Sequence, residues 1–150
     1  MYLLDTNHCS AIIAGNLTVI NHLKKIGINN IAISVITEGE LLYMGENSEQ
    51  KTENLSIICE FLKDIAVYNI DSDTSAIYAQ LKAQIMNHFG PKDKKKRRQT
   101  KISNLGIGEN DLWIASTAIS NNLTIVSRDR DFIRIKEAWD FSLENWLLSN

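Results

Sequence analysis

Short apolar runs alternate with longer stretches of one-sided helical periodicity, and this alternation limits the fold more than any other feature of the chain. The runs are Tyr2 to Leu4, Ile31 to Val35, Ala66 to Ile70 and Thr124 to Ser127. Runs of this length suit strands buried on both faces, and the stretches between them suit helices that cross back over a sheet. The pattern predicts an α/β fold with a mostly parallel, twisted sheet of four to five strands flanked by helices. Ile77, Leu81 and Ile85 line one side of a helix spanning Ser72 to Phe89, and Leu55, Ile58, Cys59 and Leu62 line another. Asn16 is suited to cap a short helix that Gly27 ends in a left-handed turn. A last strand is expected near Phe141 to Leu143, followed by a tail containing Trp146. With no internal repeat, residues 1–150 read as one domain.

In a parallel sheet the strands end on one edge, where each crossover helix begins and where ligand sites collect. Asp5 directly follows the first strand, and Asp129 lies just beyond the strand ending at Ser127. Glu40 falls early in the helix after Ile31 to Val35, and Asp111 falls in the first turn of the helix leading to Thr124. Asp111 shares a helical face with Ala115 and Ala118 and so points inward, whereas Glu109 shares its face with Trp113, Ser116 and Thr117. Periodicity does not separate Glu40 from Glu38. Asp131 reads as a cap or solvated acid, although a one-turn shift exchanges it with Asp129. Four carboxylates gathered this closely repel one another unless a cation compensates them. Oxygen donors with no His or Cys cluster favour a hard ion, Mg²⁺ or Mn²⁺, which also binds phosphate oxygens.

The net charge is only −2, yet Lys92 to Lys101 holds seven of the sixteen Lys and Arg and one acid, so a +6 segment is set against a body of −8. This segment follows Gly90 and Pro91 and reads as a basic loop at about 90–106, or a frayed helix end. It suits a polyanionic partner or a solvated surface equally well. Cys9 and Cys59 sit in apolar helical patterns and read as buried, reduced thiols. His8, His22 and His88 share no metal-ligand spacing and read as surface or core residues, and the tryptophans read as packing or interface residues. No apolar run approaches the ~18 residues of a membrane span. Asp5 interrupts the place where a secretory leader would be apolar, so a cytoplasmic protein is expected.

Four motifs carry a family resemblance: LDTN at Leu4 to Asn7, GELLYMG at Gly39 to Gly45, IGENDLWIASTAI at Ile107 to Ile119, and VSRDRDF at Val126 to Phe132. In this order, across nearly the whole chain, they resemble the PIN-domain toxins of bacterial VapBC toxin-antitoxin modules. The resemblance implies a three-layer sandwich and a metal-dependent endoribonuclease. It also implies a homodimer and a small cognate antitoxin whose C-terminal segment lies across the active site. The family's acidic positions fall on Asp5, Glu40, Asp111 and Asp129, and its hydroxyl positions on Thr6 and Ser127. The long basic connection before IGEND departs from the family's short turn.

On this reading Asp5, Glu40 and Asp111 hold one Mg²⁺ or Mn²⁺, and Asp129 completes the site or holds a second ion. A water made more acidic by the ion attacks phosphorus in line, leaving a 5′-phosphate and a 3′-hydroxyl. Asn7 and Ser127 are expected to orient carboxylates or waters. Arg128 and Arg130 are expected to meet phosphates, with Lys94, Lys95, Lys96, Arg97 and Arg98 extending that contact along the RNA. Two other readings compete. A haloacid-dehalogenase-like phosphatase also places an Asp after its first strand but needs a second two residues on, where this chain has Asn7. A catalytically silent RNA- or protein-binding module on the same fold has no need of all four acids.

Overall fold

A computed structural model describes residues 1–147 and contains one five-stranded, fully parallel sheet in the order β3-β2-β1-β4-β5. The strands are β1 (Tyr2–Leu4), β2 (Ile31–Ser34), β3 (Ala66–Tyr68), β4 (Thr124–Val126) and β5 (Leu143–Glu144). The helices are α1 (Thr6–Ile13), α2 (Leu17–Ile26), α3 (Val35–Glu46), α4 (Lys51–Lys63), α5 (Ser72–Phe89), α6 (Lys94–Gln99), α7 (Glu109–Ser120) and α8 (Arg130–Ala138). Both sides of the sheet are covered, because successive strand residues point to opposite faces. Leu3, Ala32 and Ile125 join a core with Leu81, Leu112, Ala115 and Phe132. Their neighbours Leu4, Ile31, Ile33 and Val126 join a second core with Cys9, Val19, Leu41 and Ile58. The result is a three-layer α/β sandwich.

The sheet grows outward from β1 in both directions. From β1 the chain adds β2 and β3 on one side, then returns to add β4 and β5 on the other. Where the order reverses, between β1 and β4, the crossover connections diverge and leave a crevice at the strands' C-terminal ends.

Local chemistry explains most boundaries. Asn16 caps α2 by accepting from the Thr18 and Val19 N–H groups. Gly27 ends it at φ 84° and ψ 140°, a positive-φ extended conformation and not the left-handed helical turn expected. β2 stops at Ser34, one residue short of its apolar run, because Ser34 caps α3 by accepting from Thr37 N–H at 3.0 Å, and β3 and β4 end at Tyr68 and Val126, short of theirs. The last strand lies further along than expected, where Leu143 and Glu144 pair with Ile125 and Val126.

Two further expectations are corrected. Cys59 is exposed, since α4 turns Ile58 into the core, while Cys9 is buried. The basic segment is not an open loop. Asp93 accepts from Lys96 N–H at 2.8 Å and starts α6, and the Arg97 guanidinium donates to Pro91 O at 3.1 Å and Asn87 Oδ1 at 2.8 Å. Lys and Arg are good helix formers. Beyond it a 3-10 turn at Ile102–Leu105 buries Ile102 beside Ile107 in the first core.

Candidate active site

β1 ends at Leu4, and the next residue caps α1. The Asp5 backbone is extended, at φ −79° and ψ 171°, and its N–H donates to Val126 O at 3.1 Å, carrying the β1/β4 pairing one residue further. Its buried carboxylate is almost fully engaged. Oδ1 accepts from the His8 backbone N–H at 2.8 Å and lies 2.9 Å from His8 Nδ1, while Oδ2 accepts from the Ser127 hydroxyl. Ser127 Oγ also accepts from Asp129 N–H at 2.9 Å, and Asp129 Oδ1 caps α8 by accepting from Asp131 N–H at 3.0 Å. The ends of β1 and β4 are thus joined through Ser127.

Glu40 reaches the same place from the second turn of α3. Its carboxylate accepts from the Thr6 hydroxyl and from Asn110 Nδ2, the latter at 2.8 Å. Asp111, in the first turn of α7, is half-buried. Asp5, Glu40, Asp111 and Asp129 together line one cleft of about 310 Å³ with Thr6, Asn7, Tyr43, Met44 and Ile114. Glu38 does not line it. A cavity of about 350 Å³ between α1, α3 and α4, walled by Ile13, Leu41, Ile57 and Ile58, has no ionisable side chain in its lining.

No Lys or Arg lines the cleft, and Asp111 registers the resulting crowding. Burial, followed by the charges of Asp129, Asp131 and Glu40 and a hydrogen bond with Asp131, pushes its carboxyl from the ordinary range near 4 up to about 7. Asp131 itself lies beside the cleft: its Oδ2 accepts from Gly108 N–H at 2.6 Å, tying the start of α7 to α8. Glu109 faces away, paired with Lys82 at 2.7 Å and with the Tyr78 hydroxyl. Burial works against its ionised form, yet these two partners hold its carboxyl below the ordinary range.

The remaining candidates fall into different settings. Asn7 lines the exposed edge of the cleft, and among the described residues it bonds none of the four carboxylates. Arg128 and Arg130 are exposed on either side of Asp129, and Lys94, Lys95, Lys96 and Arg98 are exposed on α6, whereas Arg97 is held against α5. Two site residues were not singled out from the sequence, His8 and Asn110. For His8 the available signal was its spacing, three residues after a capping Asp, where a side chain returns to the cap.

The donor set fits a divalent ion in kind: four carboxylates offering hard oxygen donors, no Lys or Arg in the lining, and one acid driven toward protonation. Among the described residues, no three His, Cys, Asp or Glu side chains already converge as a coordination set. The hydrogen bonds to Asp5 and Glu40 hold those carboxylates to the cleft walls instead.

The PIN domain family model matches residues 2–138. Ribonuclease VapC2 of Rickettsia felis is 33% identical over 149 residues, covering 97% of this chain and 98% of that protein. The tRNA(fMet)-specific endonuclease VapC of Salmonella typhimurium is 26% identical, covering 97% of each. Among solved structures, the DNA-bound VapBC2 of Rickettsia felis superposes with a TM-score of 0.77 at 31% identity, over 97% of this chain and 98% of that one. DNA-bound VapBC from Salmonella typhimurium gives 0.79 at 25% identity, over 97% of each. With the carboxylate cleft at the reversal point of its sheet, and with a family match over nearly its whole length, this chain belongs to the PIN-domain family, among the ribonucleases of the VapC type.

Proposed function

We propose that the chain is a divalent-metal-dependent endoribonuclease and the toxin of a two-protein toxin-antitoxin module, with its active site in the acidic cleft. One observation carries this reading: Asp5, Glu40, Asp111 and Asp129, far apart in sequence, line a single cleft that contains no compensating cation. Asp5, Glu40 and Asp111 would hold Mg²⁺ or Mn²⁺, with Asp129 completing the site or holding a second ion. A divalent ion there supplies charge compensation for a phosphodiester and a more acidic water as nucleophile. The protein's own part is positional. Ser127 and His8 fix Asp5, Thr6 and Asn110 fix Glu40, and Asp131 holds the start of α7 that carries Asp111. None of these residues is placed as a covalent nucleophile.

Arg128 and Arg130 flank the cleft and are assigned to phosphates of the RNA beside the scissile bond. The exposed cations of α6 are assigned to the same strand further out. Because relatives crystallised as VapBC complexes, a small antitoxin is the expected protein partner, and the family resemblance makes a homodimer the expected assembly. Two relatives are named tRNA(fMet)-specific endonucleases, which makes structured tRNA the first substrate to try. Among the described residues no helix is long and apolar enough to cross a membrane.

The test is RNA cleavage with Mg²⁺ or Mn²⁺, with and without chelator, by the native chain and by Asp5→Asn and Asp111→Ala. Cleavage is expected from the native chain with metal, and a loss of at least a hundredfold in both variants. Variants that cut as fast as the parent would sink the assignment.

A further inference from the structure

We infer that His8 is a positioning residue for Asp5, coupling that carboxylate to the backbone of the C-terminal segment at Trp146. The inference rests on the metal reading of the cleft and adds to it a residue outside the four acids.

His8 is fully buried, and both ring nitrogens have partners. The backbone N–H of Trp146 donates to His8 Nε2 at 3.2 Å, so Nε2 is an acceptor. A neutral imidazole has one donor and one acceptor nitrogen. The proton therefore sits on Nδ1, 2.9 Å from Asp5 Oδ1, to which it donates. The backbone donor thus fixes the tautomer, and the tautomer fixes the carboxylate.

Counting lone pairs shows what this does for Asp5. A carboxylate offers about four acceptor sites, two on each oxygen. Both sites on Oδ1 are used, by the His8 backbone N–H at 2.8 Å and by Nδ1. Ser127 takes one on Oδ2. The remaining capacity lies on Oδ2 alone, so Asp5 presents a single oxygen in a fixed plane to whatever occupies the cleft.

The far end of the coupling is equally well held. Trp146 is 3% exposed, and its ring stacks on His22 at 4.6 Å and meets Tyr2 edge-on at 5.2 Å. Its indole N–H donates to Glu144 Oε2 at 2.8 Å, within the segment that begins at β5. Tyr2 of β1 and His22 of α2 thus brace Trp146, whose backbone N–H meets the imidazole, and of these residues and His8 none lines the cleft that Asp5 faces.

Two substitutions divide the roles of the ring. Asn places an amide donor near the position of Nδ1 and cannot reach Trp146, whereas Gln places a carbonyl acceptor near Nε2 and gives Asp5 no side-chain donor. Mn²⁺ affinity by titration calorimetry and the metal-free thermal midpoint are measured for the native full-length chain, His8→Asn and His8→Gln. Both variants are expected to lower the midpoint. His8→Asn should keep Mn²⁺ affinity within about threefold, and His8→Gln should lose roughly 10–100-fold, the scale for losing a residue that orients a metal ligand. A purely structural His8 would make affinity follow the midpoint. His8→Gln binding Mn²⁺ as tightly as the native chain overturns the inference and leaves the nuclease reading standing. No Mn²⁺ uptake by the native chain overturns both. A readout independent of any variant is the ¹⁵N spectrum of the native protein, where a protonated Nδ1 and a bare Nε2 are expected and the opposite tautomer refutes the coupling.

Discussion

The backbone N–H of Gly108 donates to Asp131 Oδ2 at 2.6 Å, so the helix that carries Asp111 is anchored by an acid on a different helix. Gly108 is the N-cap position of α7 and has no side chain to cap it. Asp131 supplies from α8 an acceptor that the local sequence lacks. The two acids of the VSRDRDF motif therefore divide their work, Asp129 lining the cleft and Asp131 holding α7. Asp131→Ala should lower stability by about 1 kcal/mol in urea unfolding and should reduce Mn²⁺ affinity less than Asp129→Asn does. A larger loss of affinity in Asp131→Ala would reverse these roles.

Gly108 also leaves room for the site. Its φ of −70° suits any residue, so space, and not conformation, demands glycine there. A Cβ would lie 2.6 Å from Asp111 Oδ2 and 3.4 Å from Asp131 Oδ2. Gly108→Ala should therefore displace the Asp111 carboxylate while leaving the core intact. The expected outcome is a loss of Mn²⁺ affinity of roughly tenfold or more, with far-UV circular dichroism unchanged.

The acid cluster should make the metal-free protein less stable as pH rises. In the folded state the cluster keeps a proton at Asp111 up to about pH 7, whereas the unfolded chain releases it near the ordinary carboxylate value. Between those limits the folded state binds more protons, so unfolding free energy falls with increasing pH. Asp111→Asn removes that penalty. After discounting for partial exposure, it should be more stable than the native chain by about 1–2 kcal/mol at pH 8 and nearly equal to it at pH 4. Urea midpoints at the two values without metal, and again with Mn²⁺ at pH 8, check the sign. Added metal should favour the native chain.

Helix α6 separates structural from binding cations. Arg97 is tied to Asn87 and Pro91, whereas Lys94, Lys95, Lys96 and Arg98 are exposed. Replacing those four with Gln should flatten the salt dependence of RNA binding by up to about 3 in log–log slope and leave Mn²⁺ affinity unchanged. An unaltered slope assigns the helix to solvent.

The apolar runs that mark the strands are strong where the central strands β1, β2 and β4 are buried on both faces, and the long α5 repeats its apolar residues over several turns. Those signals carry Asp5 and Asp129 to one sheet edge before any coordinate is known. Other features depend on tertiary contacts with no local pattern. Glu40 and Glu38 differ only in which reaches Thr6 and Asn110 across the cleft. The basic segment carries no apolar period, because Arg97 holds it through polar bonds to Asn87 and Pro91 and Ile102 beyond it is a single buried position. His8 reads as a surface or core residue in the sequence because, although its spacing from Asp5 is local, its other partner Trp146 lies 138 residues away, joined through a backbone N–H that no side-chain motif reports.

Equilibrium dialysis of Mn²⁺ against the purified chain at neutral pH, beside Asp111→Asn, tests most directly whether the cleft exists to hold a dication. Saturable uptake of one or two ions by the native protein, lost or severely weakened in the variant, is the predicted result. Absence of uptake by the native protein, or equal uptake by both, would contradict the account.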